Sequence, residues 1–189
     1  MRAFIAITLP ENINKKLSSV QDRLKKSNAD VKWVSAANIH ITLRFLGDID
    51  KKTTSLISEV IRETSKHHAR FDISISRIGV FPSLLHPQTI WVGIDKGSPA
   101  CMILQNQIEI CAEKFGIKKE ARAFLPHLTL GRVRSQKNKH ALIKILEKEK
   151  DFSITTKIPV NKIVLFSSLI TQQGPVYSSL EEFPLSENC

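Results

Sequence analysis

The sequence predicts an α+β fold of two pseudo-symmetric β-α-β-α-β lobes, with mainly antiparallel sheets flanking a central cleft. Three observations carry that expectation. The tetrapeptide His40-Ile-Thr-Leu43 returns as His127-Leu-Thr-Leu130. A strand-like segment precedes each copy at one interval, since Phe4 to His40 and Trp91 to His127 both span 36 residues. A helical pattern fills each interval. With six His and ten Thr in 189 residues, fewer than one His-x-Thr match is expected by chance.

The elements follow in order. Residues 2–7 form an apolar run that reads as a buried strand. Ile13, Leu17, Val20 and Leu24 then recur at helical spacing. The first motif alternates polar and apolar residues, as a half-buried strand does, so His40 and Thr42 share one face and Ile41 and Leu43 the other. Leu56, Ile57, Val60 and Ile61 predict a second helix, and residues 71–76 a third strand. Residues 81–88, with Pro82 and Pro87, read as a loop or tight connection.

The second half repeats the plan. Residues 89–94 form its first strand. Its first helix is marked by Leu104, Ile108, Cys111 and Phe115, with Ser98-Pro99 as its start and Gly116 as its stop. The His127 strand follows, then a helix with Leu142, Ile145 and Leu146, and a strand over 152–157. This last strand matches 71–76 with a six-residue slip. Further strands are expected at 160–168 and 176–183. The whole, 1–189, is expected to be a single domain of two halves, about 1–85 and 86–189, with the axis bringing His40 and His127 together.

Composition narrows the partners. A 42% hydrophobic and 24% charged chain is that of an ordinary soluble globular protein. The longest apolar runs, such as residues 4–9, are too short to cross a bilayer, and no signal peptide is evident. Cys101, Cys111 and Cys189 are odd in number and widely spaced, which suits a reducing cytoplasm and argues against a cysteine-based zinc site. The net charge of +10 suits a polyanionic partner, although a lysine-rich surface also serves solubility alone. No obligate protein partner is evident.

Two imidazoles and two hydroxyls on one face suit phosphate chemistry. Displacement at phosphorus needs one proton removed and one delivered, and imidazoles with pKa near 6.5 can hold both states at neutral pH. Thr42 and Thr129 can donate to the phosphoryl oxygens. Arg44 extends the face on one strand (40, 42, 44), and Arg132 does so on the other if the strand slips at Gly131. No metal and no cofactor is required. No carboxylate lies within three residues of either motif histidine, as a mixed metal ligand set would need. His67 and His68 read as a solvated helix end, and His86 and His140 as superficial. No G-x-S-x-G elbow, Walker loop or G-x-G-x-x-G is present.

The paired motifs sit in distinctive surroundings: Lys32-Trp33-Val34, then Asn38-Ile-His-Ile-Thr-Leu-Arg-Phe-Leu-Gly47, Ile90-Trp-Val-Gly93 and Phe124-Leu-Pro-His-Leu-Thr-Leu-Gly-Arg132. In these the chain resembles the two-histidine (2H) phosphoesterase superfamily. Within it, the likeness is to the bacterial and archaeal RNA 2',3'-cyclic phosphodiesterases, formerly called 2'-5' RNA ligases. The resemblance covers nearly the whole chain. It implies a bilobal fold with a V-shaped cleft and a metal-independent hydrolysis of RNA 2',3'-cyclic phosphate ends to 2'-phosphomonoesters. By motif, His40 would be the proton donor and His127 the proton acceptor. Thr42, Thr129 and Arg132 would bind the substrate phosphate. The alternatives are an RNA- or nucleotide-binding module using the same cleft, and a phosphodiesterase for 2'-5' linked oligonucleotides.

Other residues have two readings. Trp91, mid-strand in an apolar run, favours core packing over base stacking, while Trp33 is open to either. Phe45 alternates opposite to Arg44 and is expected in the core. Tyr177 and Phe81 are cleft candidates by resemblance alone. Arg122, Arg132 and Arg134 surround the second motif and could bind a neighbouring phosphate. Lys137, Lys139, Lys144, Lys148 and Lys150 read as an exposed helix face.

Overall fold

The computed structural model describes residues 1–172 and 174–187, so Cys189 lies outside the described residues. Among these, nine strands and four α-helices follow one another. The first half contains β1 (Arg2–Thr8), α1 (Glu11–Lys25), β2 (Val31–Trp33), β3 (His40–Asp48), α2 (Lys51–Lys66) and β4 (Phe71–Ser83). Then come β5 (His86–Ile94), α3 (Ser98–Glu113), β6 (His127–Val133), α4 (Lys139–Glu149), β7 (Ser153–Val160), β8 (Lys162–Thr171) and β9 (Gly174–Pro184). The strands pair antiparallel in the order β7-β4-β5-β6-β3-β1-β8-β9, and the short β2 joins β6.

The two expected sheets are hydrogen-bonded into one, but the seam is narrow. Between β3 and β6 the register consists of Ile41↔Leu128. On one side of it lie β3-β1-β8-β9, on the other β6-β5-β4-β7. The two sets correspond: β4 flanks β5 as β8 flanks β1. The pattern match of β4 with β7 is therefore superseded, because those two strands pair with each other and the counterpart of β4 is β8.

Each helix is held by the stripe that predicted it. On α1, Ile13, Leu17, Val20 and Leu24 are all buried, each contributing about 1.5–3 kcal/mol. On α2, Asp50 caps the helix by accepting from the Thr53 N–H at 2.7 Å, and Ile57 and Ile61 are buried. Leu56 was expected among them but is exposed, because the packed face turns through Ser58 and Ser65 instead.

At α3 the cap is Gly97 rather than Ser98, which becomes the first helical residue with Pro99 behind it. Gly97 adopts φ 78°, and a Cβ there would meet the Asp72 carbonyl oxygen at 2.4 Å, so no other residue fits. Between β4 and β5 the strands run on into both prolines. Pro82 and Pro87 are register partners, and Leu84 and Leu85 alone make the turn.

Candidate active site

A bulge repeated in both motif strands decides what faces the cleft. In β3, Ile5 pairs with Arg44 and Ala6 with Thr42, leaving Leu43 as the extra residue. In β6, Ile90 pairs with Gly131 and Trp91 with Thr129, leaving Leu130 as the extra residue. A bulge shifts the alternation by one. The open face thus carries His40, Thr42 and Phe45 on one strand, and His127, Thr129 and Arg132 on the other.

Two expectations are corrected by that shift. The slip allowed at Gly131 also occurs at its counterpart Arg44, which turns into the interior and is 3% exposed. There its Nη1 donates to Glu120 Oε1 at 2.9 Å and its Nη2 to the Lys118 carbonyl at 2.5 Å. Its Nε forms an ion pair with buried Glu109 at 2.9 Å. Phe45, expected in the core, is instead 55% exposed, at the position matching Arg132.

The seam assembles the motif residues. The antiparallel pair Ile41↔Leu128 sets His40 opposite Thr129 and Thr42 opposite His127 on the other face of the strands. The imidazoles occupy one diagonal of a four-residue square and the hydroxyls the other. All four are partly buried.

The two rings are anchored alike. His40 Nδ1 lies 2.7 Å from the Asn38 carbonyl oxygen, and His127 Nδ1 lies 2.7 Å from that of Leu125. A carbonyl can only accept, so both Nδ1 atoms carry hydrogen and both Nε2 atoms are left for the cleft. Each ring also has an aromatic backing. Phe4 stacks on His40 at 4.9 Å between centroids, and Tyr177 meets its edge at 5.5 Å. Phe81 stands edge-on to His127 at 5.3 Å and stacks on Trp91 at 5.0 Å.

Burial by these walls lowers both histidine pKa values below the usual 6.5, against the opposing effect of the carbonyl bonds. The His127 charge adds to the lowering at His40, and the Arg132 charge at His127. The Tyr177 hydroxyl is pushed up by burial, partly offset by Arg132. Arg132 thus lies within electrostatic reach of both walls.

The remaining expected residues divide. Trp91, expected in the core, lies on the cleft side beneath His127, while Trp33 packs against the core. Arg122 and Arg134 are exposed, flanking the second motif in sequence without joining the square. His67 forms an i,i+4 contact with Glu63, as befits a solvated helix end, and His86 and His140 are exposed. Phe4, a buried strand residue by sequence pattern, also belongs to the wall behind His40, and Phe166, which no sequence pattern marks, stacks on Phe4 at 5.2 Å. The repeat held the signal for Phe4, since it matches Trp91. Beside His40, a groove of about 370 Å³ is lined by Arg2, Ala3, Phe4, Phe45, Gly47, Asp48, Ser168 and Tyr177. Among the described residues, no group of three or more His, Cys, Asp or Glu is placed to hold a metal ion. No helix among them is long and apolar enough to cross a membrane.

Comparison with known proteins adds relatives of matching length. A family model described as LigT like phosphoesterase matches residues 7–91 and 98–177. A Methanothermobacter thermautotrophicus protein named RNA 2',3'-cyclic phosphodiesterase is 33% identical over 185 residues, covering 98% of this chain and 99% of its own. An Aquifex aeolicus protein of the same name is 34% identical, covering 98% and 97%. Among solved structures, a Thermus thermophilus protein superposes with a TM-score of 0.84 at 22% identity, covering 100% of both chains. Escherichia coli LigT in its apo form gives 0.76 at 21% identity, covering 98% of this chain and 97% of its own.

Proposed function

The chain belongs to the LigT-like phosphoesterase family, and on that premise we propose that it hydrolyses RNA 2',3'-cyclic phosphate ends to 2'-phosphomonoesters without a metal. The observation that carries this reading is the square of His40, Thr42, His127 and Thr129, with both Nε2 atoms left open. The names of the full-length relatives support the substrate.

In the proposed reaction the phosphate lies between the two rings. His127 Nε2 takes a proton from water, and the hydroxide forms a bond to phosphorus. The bond from phosphorus to the ribose 3' oxygen breaks in line, and His40 Nε2–H protonates that oxygen. The product is a 2'-phosphomonoester beside a free 3' hydroxyl. The two histidines finish with exchanged protonation states, and solvent resets them. Thr42 and Thr129 donate to the non-bridging oxygens, and Arg132 neutralises their charge. Nothing in these steps needs a Lewis acid, because the leaving alkoxide is protonated as it departs. The aromatic groove beside His40 would take the terminal nucleobase by stacking. The same reading assigns the chain to the cytoplasm, where its widely spaced cysteines would stay reduced.

The test is turnover of an RNA 2',3'-cyclic phosphate by metal-stripped protein in a chelator, with the product identified as a 2'-phosphate. Salt-dependent RNA binding without turnover would instead favour the binding-module reading. Preferential cleavage of a 2'-5' linked oligonucleotide would redirect the substrate assignment.

A further inference from the structure

Beyond the reacting phosphate, the face that holds it continues. Past Thr129 the bulge returns Arg132 to the open side, where β2 lies against β6 with Lys32 as the direct register partner of Arg132. Partners directly opposite in an antiparallel pair point to the same face, with Cβ atoms about 4.5–5.5 Å apart. The other face is accounted for: a Cβ on Gly131 would meet Val31 Cγ1 at 2.7 Å and Trp33 Cε3 at 2.9 Å, so those two flanking residues point inward. Lys32, between them, points outward.

Among the described residues neither Lys32 nor Arg132 forms an ion pair, and the hydrogen-bond contact of Arg132 is a long 3.5 Å reach to Thr89 Oγ1. Lys32 is also steered. Its side chain runs beside Gly174, where a Cβ would stand 3.8 Å from Nζ and 3.9 Å from Cε. That end of the β8–β9 hairpin is fixed by Asn38 Nδ2, which donates to the Pro175 carbonyl at 3.2 Å. Asn38 also holds His40 through its own carbonyl. A positioned, unpaired cation next to a phosphate-binding arginine asks for a second anion one step along the strand.

We infer that Lys32 and Arg132 together form a subsite for a second phosphate, the phosphodiester on the 5' side of the terminal nucleotide. The inference rests on the reading of the square as an RNA-end site and adds to it a reason to prefer an oligonucleotide over a cyclic mononucleotide, which has no such phosphate.

The experiment compares a 2',3'-cyclic mononucleotide with a trinucleotide ending in the same group, using the full chain and its Lys32→Ala and Lys32→Arg variants. The wild type is expected to show a higher kcat/KM for the trinucleotide, by about tenfold. Lys32→Ala should reduce that ratio several-fold, through KM rather than kcat, and Lys32→Arg should keep it. The slope of log(kcat/KM) against log salt for the trinucleotide should become shallower by about 0.7 in Lys32→Ala, the value for one contact to a single strand. An unchanged ratio in Lys32→Ala, or an equal loss on both substrates, overturns the subsite. If the wild type turns over neither compound, the catalytic reading fails on its own. Equilibrium binding of a dye-labelled trinucleotide then decides the subsite by the same comparison: weaker binding in Lys32→Ala than in Lys32→Arg supports it, and equal binding removes it.

Discussion

Ile41 on β3 and Leu128 on β6 are register partners, and through this pair the two halves of the sheet meet. Both side chains are fully buried, so the pair is also a packing contact of the core. Its consequence on the opposite face is the diagonal placement of His40 and His127. The motif residues are thus brought together where the two halves of the sheet join.

His40→Ala and His127→Ala should each lower kcat on an RNA cyclic phosphate by about 10²–10⁴-fold. The double variant should cost little more than the worse single one, because the two rings serve one proton cycle. Full multiplicative loss would indicate independent roles.

The pH dependence follows from the depressed histidine pKa values. One ring must be neutral and the other protonated, so kcat/KM should peak below pH 6.5 and fall on both sides. A bound anionic phosphate raises both values, so the kcat optimum should lie at higher pH than that of kcat/KM. Stability has a definite sign too. Because folding lowers both pKa values, the unfolded chain binds protons first as pH drops. The native state should hold its full histidine-linked stability above about pH 6.5. It should lose that contribution as pH falls from there through the folded values. Denaturant titrations across pH 5–8 would show it, and His40→Gln should flatten the dependence.

Arg44→Met should destabilise the fold strongly. It leaves Glu109 buried with its ion-pair partner removed, a loss of about 3–5 kcal/mol. For a chain of this size that corresponds to a fall in Tm of about 6–20 °C. Adding Glu109→Leu should recover part of the loss, although the Glu120 N–H that Glu109 now accepts would stay unpaired. Thermal unfolding of the single and double variants reads both effects.

Gly79→Ala should disturb His127 from beneath. A Cβ at Gly79 would stand 2.2 Å from Trp91 Cζ2, so the indole must move off its stack with Phe81. The expected outcome is a changed tryptophan emission together with a lower kcat. Unchanged emission and unchanged kcat would show that the indole is not needed to hold the ring.

Much of this site was legible in the sequence, because periodicity and repetition are local signals. The motif tetrapeptides, their flanking strands and the α1 stripe could be read directly. What escaped depended on contacts distant in sequence. The bulge at Leu43–Arg44 leaves no mark in the alternating pattern, so Arg44 and Phe45 were assigned to opposite faces from those they occupy. The Gly131 bulge offered the clue, since a duplicated strand should carry a duplicated bulge. Likewise β4 and β7 have similar alternation, and only pairing across the sheet shows that β8 is the true counterpart of β4. Trp91 looked like core because its strand is apolar throughout, but its neighbours Phe81 and His127 come from other strands.

The proposed mechanism stands or falls on one phosphorus atom being served by two histidines on adjoining strands without a metal. The direct measurement is hydrolysis of an RNA 2',3'-cyclic phosphate in ¹⁸O-labelled water with a chelator present, comparing the wild type with His40→Ala and His127→Ala. Label is expected in a 2'-phosphate made by the wild type at an undiminished rate, with a collapse of that rate in both variants. Full turnover by either variant, or loss of wild-type turnover on chelation, would contradict the mechanism.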